Sequence, residues 1–210
     1  VTAVDCGAYH IAALKEDGTV WTWGKNDSGQ LGNGTTENSS VPIQIMDGAA
    51  AVSCGTQHTA VLKTDGSVWT WGFNEFGGLG NGTTTQSPVP VKAFEDAVSI
   101  SCGATYTAAI KADGSLWMWG CNATGQLGTG TTEHSLVPVQ VMEDVSYVAG
   151  GWVNTVVVKT DGSVWGWGSN TFGQLADGTP ENSLIPIRLP FTVRGGAAEF
   201  TASPEVPPVK

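Results

Sequence analysis

The chain has 210 residues, 40% of them hydrophobic, with 29 glycines and 9 basic against 19 acidic side chains, a formal charge of -10. Such a length holds one or two globular domains with real cores, and the glycines fit a turn-rich all-β chain. The negative balance excludes nucleic acid and anionic lipid as natural partners, since both are bound through basic side chains, and no apolar run is long enough to span a bilayer.

The chain opens on Val1 and carries no signal-peptide pattern, so it reads as a piece of a longer protein whose targeting signals say nothing of its compartment. Its first organising stretch is Asp17-Gly18-Thr19-Val20-Trp21-Thr22-Trp23-Gly24, which returns at 65–72, 113–120 and 161–168, always 48 residues on. A fixed period of this size marks a repeat architecture, in which each unit buries its apolar faces only against its neighbours. Four units follow, 1–48, 49–96, 97–144 and 145–192, and then 193–210, a degenerate repeat with a proline-bearing tail or linker.

Each unit is expected to form four short strands, in the second unit 51–54, 58–63, 67–71 and 89–93. Thr64-Asp65-Gly66 joins the middle pair, and Asp-Gly between apolar runs is a strong hairpin signal. Alternation along Val68-Trp69-Thr70-Trp71 puts both tryptophans on one face and Val68 and Thr70 on the other. A strand apolar on both faces belongs to a sheet stacked between sheets, so the fold class is an all-β propeller with blades of four antiparallel strands. Eight of the nine tryptophans lie in the repeated pairs and are assigned to the core; each buried ring is worth roughly 4–6 kcal/mol before entropy.

Several local patterns are weighed and declined. Cys6, Cys54 and Cys102 are equivalent positions, with Gly150 in the fourth unit, and together with Cys121 they are expected as buried free thiols rather than disulfides. Cys6-x-x-x-His10 and Cys54-x-x-x-His58 have zinc-like spacing, but Tyr106 and Asn154 take the histidine place in the later units. One pair per blade does not converge on a metal, and the histidines are expected to bond backbone at their turns. Gly29-Gln30-Leu31-Gly32-Asn33-Gly34 lacks the lysine and helix of a phosphate loop and recurs as a turn; the fourth unit departs from it with Ala176-Asp177. Asn26, Asn33, Asn38, Asn81 and Asn122 begin glycosylation sequons that composition alone generates. His134 stands without a nucleophile or carboxylate beside it, so no catalytic residue, metal or cofactor is assigned.

The unit Cys6-Gly7, His10, Ala13-Leu14, Asp17-Gly18, Val20-Trp21-Thr22-Trp23-Gly24, Asn26, Gly29-Gln30-Leu31-Gly32 and Val41-Pro42 resembles the regulator of chromosome condensation repeat family across all four units. The resemblance implies a β-propeller, usually of seven blades, of which this chain would form four. The family's namesake is a nucleotide-exchange factor for a small GTPase that binds chromatin through an inserted wedge and basic segments. Equal intervals and acidic charge argue against that activity here. The compact repeats are also similar to the propeller inhibitors of β-lactamase.

Comparison of the units locates a candidate face. In an antiparallel blade the first and third loops emerge on one side, and the hairpin and inter-blade link on the other. The first loops carry Tyr9 and Trp152; the third loops, beginning at Lys25 in the first unit, carry Phe73, Phe76 and Phe172. Tyr9, Lys25, Phe73, Phe76, Trp152 and Phe172 are the candidate partner-binding residues, with packing against neighbouring loops as the alternative. The opposite side carries Lys-x-Asp-Gly hairpins whose charges cancel, and links with Asp47, Glu95, Asp96, Glu143 and Asp144, and is expected to be an acidic, solvated surface.

The resulting reading is a non-catalytic protein-interaction scaffold, in a bacterial surface or secreted protein by composition. An enzyme-inhibitor-like propeller is the alternative, and an exchange factor comes third. Its partner would be a protein, and its unclosed edges are expected to self-associate or to be closed by other repeats.

Overall fold

A computed structural model describes residues 1–193 and 201–202. The first blade is a meander of β1 (Ala3–Cys6), β2 (His10–Leu14), β3 (Val20–Gly24) and β4 (Ser39–Met46), each antiparallel to the next. The second contains β5 (Ala49–Cys54), β6 (His58–Lys63), β7 (Val68–Gly72) and β8 (Ser87–Phe94). The third contains β9 (Ala97–Cys102), β10 (Tyr106–Lys111), β11 (Leu116–Gly120) and β12 (Ser135–Met142). The fourth contains β13 (Val145–Gly150), β14 (Asn154–Lys159), β15 (Ser163–Gly168) and β16 (Ser183–Thr192). A two-residue strand, β17 (Thr201–Ala202), pairs with the far end of β16 through Phe191 and Thr192. The expected tail otherwise lies outside the described residues.

The hairpin between β6 and β7 falls where the Asp-Gly pair placed it, and β7 starts one residue later than the alternation suggests. The reason is local. Asp65 Oδ1 accepts from the Ser67 amide at 3.0 Å and from the Ser67 hydroxyl at 2.6 Å, and that hydroxyl accepts from the Trp69 indole at 3.0 Å. Ser67 therefore belongs to the turn. The same chain of three groups recurs at Trp21, Trp117 and Trp165, though in the fourth blade Ser163 also pairs with Thr192 and so opens β15.

Three of the apolar clusters among the described residues are shared by two blades. Leu14 and Val20 of the first blade pack with Ala49, Val61 and Trp71 of the second. Leu62 and Val68 of the second blade pack with Ala97, Ala109 and Trp119 of the third. Trp167 joins the third-blade residues Ala108, Leu116 and Met118. A further cluster, Val164, Leu175 and Leu189, lies within the fourth blade; the other three bury their faces against a neighbour, as stacked repeats do.

The second tryptophan of a blade also reaches back across the junction. The indole N–H of Trp71 donates to the Gln30 carbonyl at 2.9 Å, that of Trp119 to Gly78 at 3.0 Å, and that of Trp167 to Gln126 at 2.9 Å. The ring lies flat on a glycine of the preceding loop: a Cβ at Gly32 would stand 2.6 Å from Trp71 Nε1, and one at Gly80 would stand 2.6 Å from Trp119 Nε1. Gly80 is also in the left-handed region, at φ 68°. In the fourth blade the equivalent residue, Ala176, holds φ 49° with no indole above it.

Gly80→Ala should therefore destabilise by roughly 2–4 kcal/mol, because it drives a methyl into a rigid ring and strains the backbone together. Ala176→Gly should stay within about 0.5 kcal/mol of the parent, relief of left-handed strain being offset by added freedom of the unfolded chain. Urea denaturation of the two variants measures both.

Candidate functional site

The loop side of the arc is assembled around a buried asparagine in each third loop. Asn26 is fully buried; its Nδ2 donates to Asn33 Oδ1 and to the carbonyls of Thr35 and Glu37, while its Oδ1 accepts from the Leu31 amide. Asn74, Asn122 and Asn170 repeat the arrangement with Leu79, Leu127 and Leu175. These side chains are the frame of the loop face. Asn26 and Asn122 are thus structural, and their amides are closed to glycosylation. Their recurrence two residues after each Trp-Gly was the signal.

The six candidate residues do not form an even ring. Phe73 and Phe76 are half-buried and pack edge to face at 5.9 Å, and Phe76 packs on His134 of the next blade at 5.1 Å. His134 also accepts from the Asn122 amide through Nδ1 at 3.0 Å, the task that Asn38 performs for Asn26. Tyr9 is 70% exposed, Trp152 75% and Phe172 91%. The Lys25 ammonium lies 5.4 Å from the Tyr9 ring centre and 3.0 Å from Asp27. Tyr9 and Lys25 therefore sit together on the first blade, and Trp152 and Phe172 stand on the fourth.

Position in the stack explains this division. Residues equivalent to Phe172 lie against the outer strand of the following blade: Gly77, beside Phe76, touches Leu136, and Gly125 touches Leu184. Gly173, beside Phe172, has nothing within 4 Å. Residues equivalent to Tyr9 face the preceding blade, as when Val153 accepts a hydrogen bond from Thr124. Among the described residues the bare aromatics of the loop side are on the first and fourth blades, and the half-buried ones are on the second.

The histidines differ from expectation. Rather than bonding their own turn, they cross to the next blade. His10 Nε2 lies 2.9 Å from Thr59 Oγ1, whose proton goes to the Gln30 carbonyl, so the imidazole donates. His58 does the same to Thr107 at 3.0 Å. In the third blade the Tyr106 hydroxyl, 2.9 Å from Thr155, donates to the Asn154 carbonyl. With its Nε2 so engaged, each imidazole belongs to a junction between blades. Among the described residues no group of three or more His, Cys, Asp or Glu could hold a metal.

All four cysteines are free, and Cys54, Cys102 and Cys121 are buried. Burial pushes the Cys102 thiol up to about 12 and raises that of Cys54 as well. Cys6 is the exception to the expected burial. Its counterpart Cys54 rests on Asp5 of the blade before, whereas the Cys6 amide donates to Asp5 of its own strand.

On the opposite side the hairpin aspartates Asp17, Asp65, Asp113 and Asp161 are held below the ordinary carboxylate range, chiefly by the hydroxyls of Thr19, Ser67, Ser115 and Ser163. The hairpin lysines do not cancel them by direct pairing. Lys15 lies 3.9 Å above the Trp21 ring, while Lys111 and Lys159 pair at 3.4 Å with the link residues Asp96 and Asp144.

Comparison with known proteins agrees with this architecture. The RCC1-like domain family matches residues 1–203. The mitochondrial RCC1 domain-containing protein RUG3 of Arabidopsis thaliana is 44% identical over 45 residues, covering 21% of this chain and 10% of that protein. Human WBSCR16 superposes with a TM-score of 0.82 at 25% identity, over 93% of this chain and 55% of its own. Prp20p of Saccharomyces cerevisiae superposes with a TM-score of 0.76 at 22% identity, over 89% of this chain and 50% of its own. The chain thus spans about a tenth of one relative's length and about half of the other two.

Burial holds His10 and His58 at a pKa of about 4, below their ordinary 6.5; Asp5 opposes the shift at His10, and the charge of His10 adds to it at His58. The folded imidazoles stay neutral where the unfolded ones protonate. Stability is therefore full above about pH 6.5 and lost as pH falls toward 4, by on the order of 2–3 kcal/mol for each histidine. Urea midpoints across that window should fall with acid, and His58→Asn, the residue of the fourth unit, should reduce the slope.

Proposed function

Because the chain belongs to the RCC1-like domain family, we propose that it is a non-catalytic protein-interaction module that engages its partner through the loop side of the arc. The observation carrying this is the exposure of Tyr9, Trp152 and Phe172 on loops that strand parity places on one side. Large aromatics on a rigid frame act as anchors in protein interfaces, and the buried asparagines supply the rigidity. Fold alone does not choose the function. Prp20p has binding properties toward Gsp1p and histones, which makes proteins of those two kinds the first to try. Phe73 and Phe76 are assigned to packing with His134, and Lys25 to positioning Tyr9.

The test compares wild type with a Tyr9→Ala, Trp152→Ala, Phe172→Ala triple variant in titrations with Gsp1p and with histones. Affinity for the true partner class should fall at least about tenfold, with folding changed by no more than roughly 1.5 kcal/mol in all. Equal binding by the two proteins, wherever wild type binds, would reject the loop side. Phe73→Ala and Phe76→Ala should instead lower stability by about 1–3 kcal/mol each. Accelerated release of labelled nucleotide from Gsp1p by catalytic amounts of the chain would overturn the non-catalytic reading.

A further inference from the structure

Strand parity puts two loops of every blade on the loop side: 7–9, 55–57, 103–105 and 151–153 between the first two strands, and 25–38, 73–86, 121–134 and 169–182 between the last two. Their charge is one-sided. Lys25 is the single basic residue in them, against Asp27, Glu37, Glu75, Glu133, Asp177 and Glu181. Lys25 lies 3.0 Å from Asp27, and Asp177 accepts from Asn170 and from the amide and hydroxyl of Thr179. That leaves one glutamate for each blade, Glu37, Glu75, Glu133 and Glu181. All four are exposed, and among the described residues no cation or hydrogen-bond donor of the chain meets their carboxylates.

The placement repeats with the fold. Glu37, Glu133 and Glu181 stand at one position of the 48-residue unit, and the second unit, with Thr85 there, carries Glu75 in the same loop instead. The backbone carbonyls of Glu37 and Glu133 each accept at 3.0 Å from the side-chain amide of the buried asparagine, Asn26 or Asn122, so these carboxylates rise from a fixed frame. The hairpin side handles its charge differently. There Lys92 lies 2.6 Å from Glu95, and Lys111 and Lys159 lie 3.4 Å from Asp96 and Asp144, so three acidic side chains already have a cation of their own chain.

Unpaired carboxylates on the same side as bare aromatic rings suit one chemistry. An arginine or lysine side chain donates charge-assisted hydrogen bonds to a carboxylate and is attracted to a ring face. The loop side contains that contact within the chain already, where the Lys25 ammonium lies 5.4 Å from the Tyr9 ring centre and 3.0 Å from Asp27. A metal ion fits less well, since the glutamates stand one to a blade and, among the described residues, no group of three or more His, Cys, Asp or Glu could hold one.

We infer that the loop side receives a basic protein segment, whose arginines and lysines meet Glu37, Glu75, Glu133 and Glu181 while its apolar parts cover the exposed aromatics. This rests on the loop-side reading above and adds to it the sign of the partner's charge.

The test titrates fluorescent oligoarginine, oligolysine and oligoglutamate peptides into three proteins. These are wild type, a Glu37→Gln, Glu75→Gln, Glu133→Gln, Glu181→Gln variant, and a control of equal charge with Glu16→Gln, Asp47→Asn, Glu95→Gln and Glu143→Gln on the hairpin side. The basic peptides should bind wild type and lose affinity as salt is raised; the loop-side variant should bind them roughly tenfold or more weakly, and the control within about twofold of wild type. Oligoglutamate should not bind. The four glutamates have no partner to lose, so the loop-side variant should keep the urea midpoint of wild type. Equal weakening in the two variants would assign the binding to net charge and overturn the inference, as would failure of the basic peptides to bind or equal binding of oligoglutamate. The Tyr9→Ala, Trp152→Ala, Phe172→Ala variant separates the two readings of this side. If it binds oligoarginine as wild type does while the glutamine variant does not, the basic partner stands and the aromatic anchors fail; the opposite pattern keeps the anchors and overturns the basic partner.

Discussion

Three indole N–H groups hold this arc together, those of Trp71, Trp119 and Trp167, each donating to a loop carbonyl of the blade before it. The bond is buried, so the alternative to making it is an unsatisfied donor in an apolar seam, which costs far more than the bond itself gains. Other features follow from placing a large flat ring there. The loop beneath must bring its backbone to the ring, which only glycine permits. The loop must also keep its shape away from the sheet, and the buried asparagine supplies that from within. The same carbonyl accepts a threonine hydroxyl in each case, so sheet, loop and neighbouring blade are fixed at one point.

The period made the blades legible because every unit uses the same seam, and the Asp-Gly pairs marked the hairpins because glycine supplies their turn geometry. What sequence comparison misjudged was position within the stack. Read as a unit, Cys6 equals Cys54, and Phe172 equals Phe76. In the folded chain the first of each pair is exposed, and among the described residues no further blade lies against it. The histidine was misjudged for a related reason. Its partner is a threonine 49 residues away in another blade, and no local spacing announces such a bond. The candidate site was legible as residue types on the correct side of the blade. Which aromatics stand free could be read only from their neighbours.

The two sides of the arc treat charge and apolar surface differently. On the hairpin side, lysines lie over tryptophan rings or pair with link aspartates, and the aspartates are occupied by hydroxyls and amides of their own turns. These groups have partners within the chain, and exposed pairs of this kind contribute little and are easily screened. On the loop side, three large aromatic rings have little or no apolar cover. Apolar surface of that kind gains most from a second molecule, which is why the proposed partner is placed on the loop side.

Departures from the repeat are informative according to whether anything answers them. Tyr106 replaces a histidine inside the stack, and the structure accommodates the longer ring by sending its hydroxyl to the Asn154 carbonyl while keeping the approach to Thr155. His134 replaces an asparagine and still accepts from the Asn122 amide. Ala149, Asn154, Ala176 and Ile11 are different, since each stands where the interior junctions use a Ser or Asp, an aromatic or imidazole ring, a glycine and a threonine.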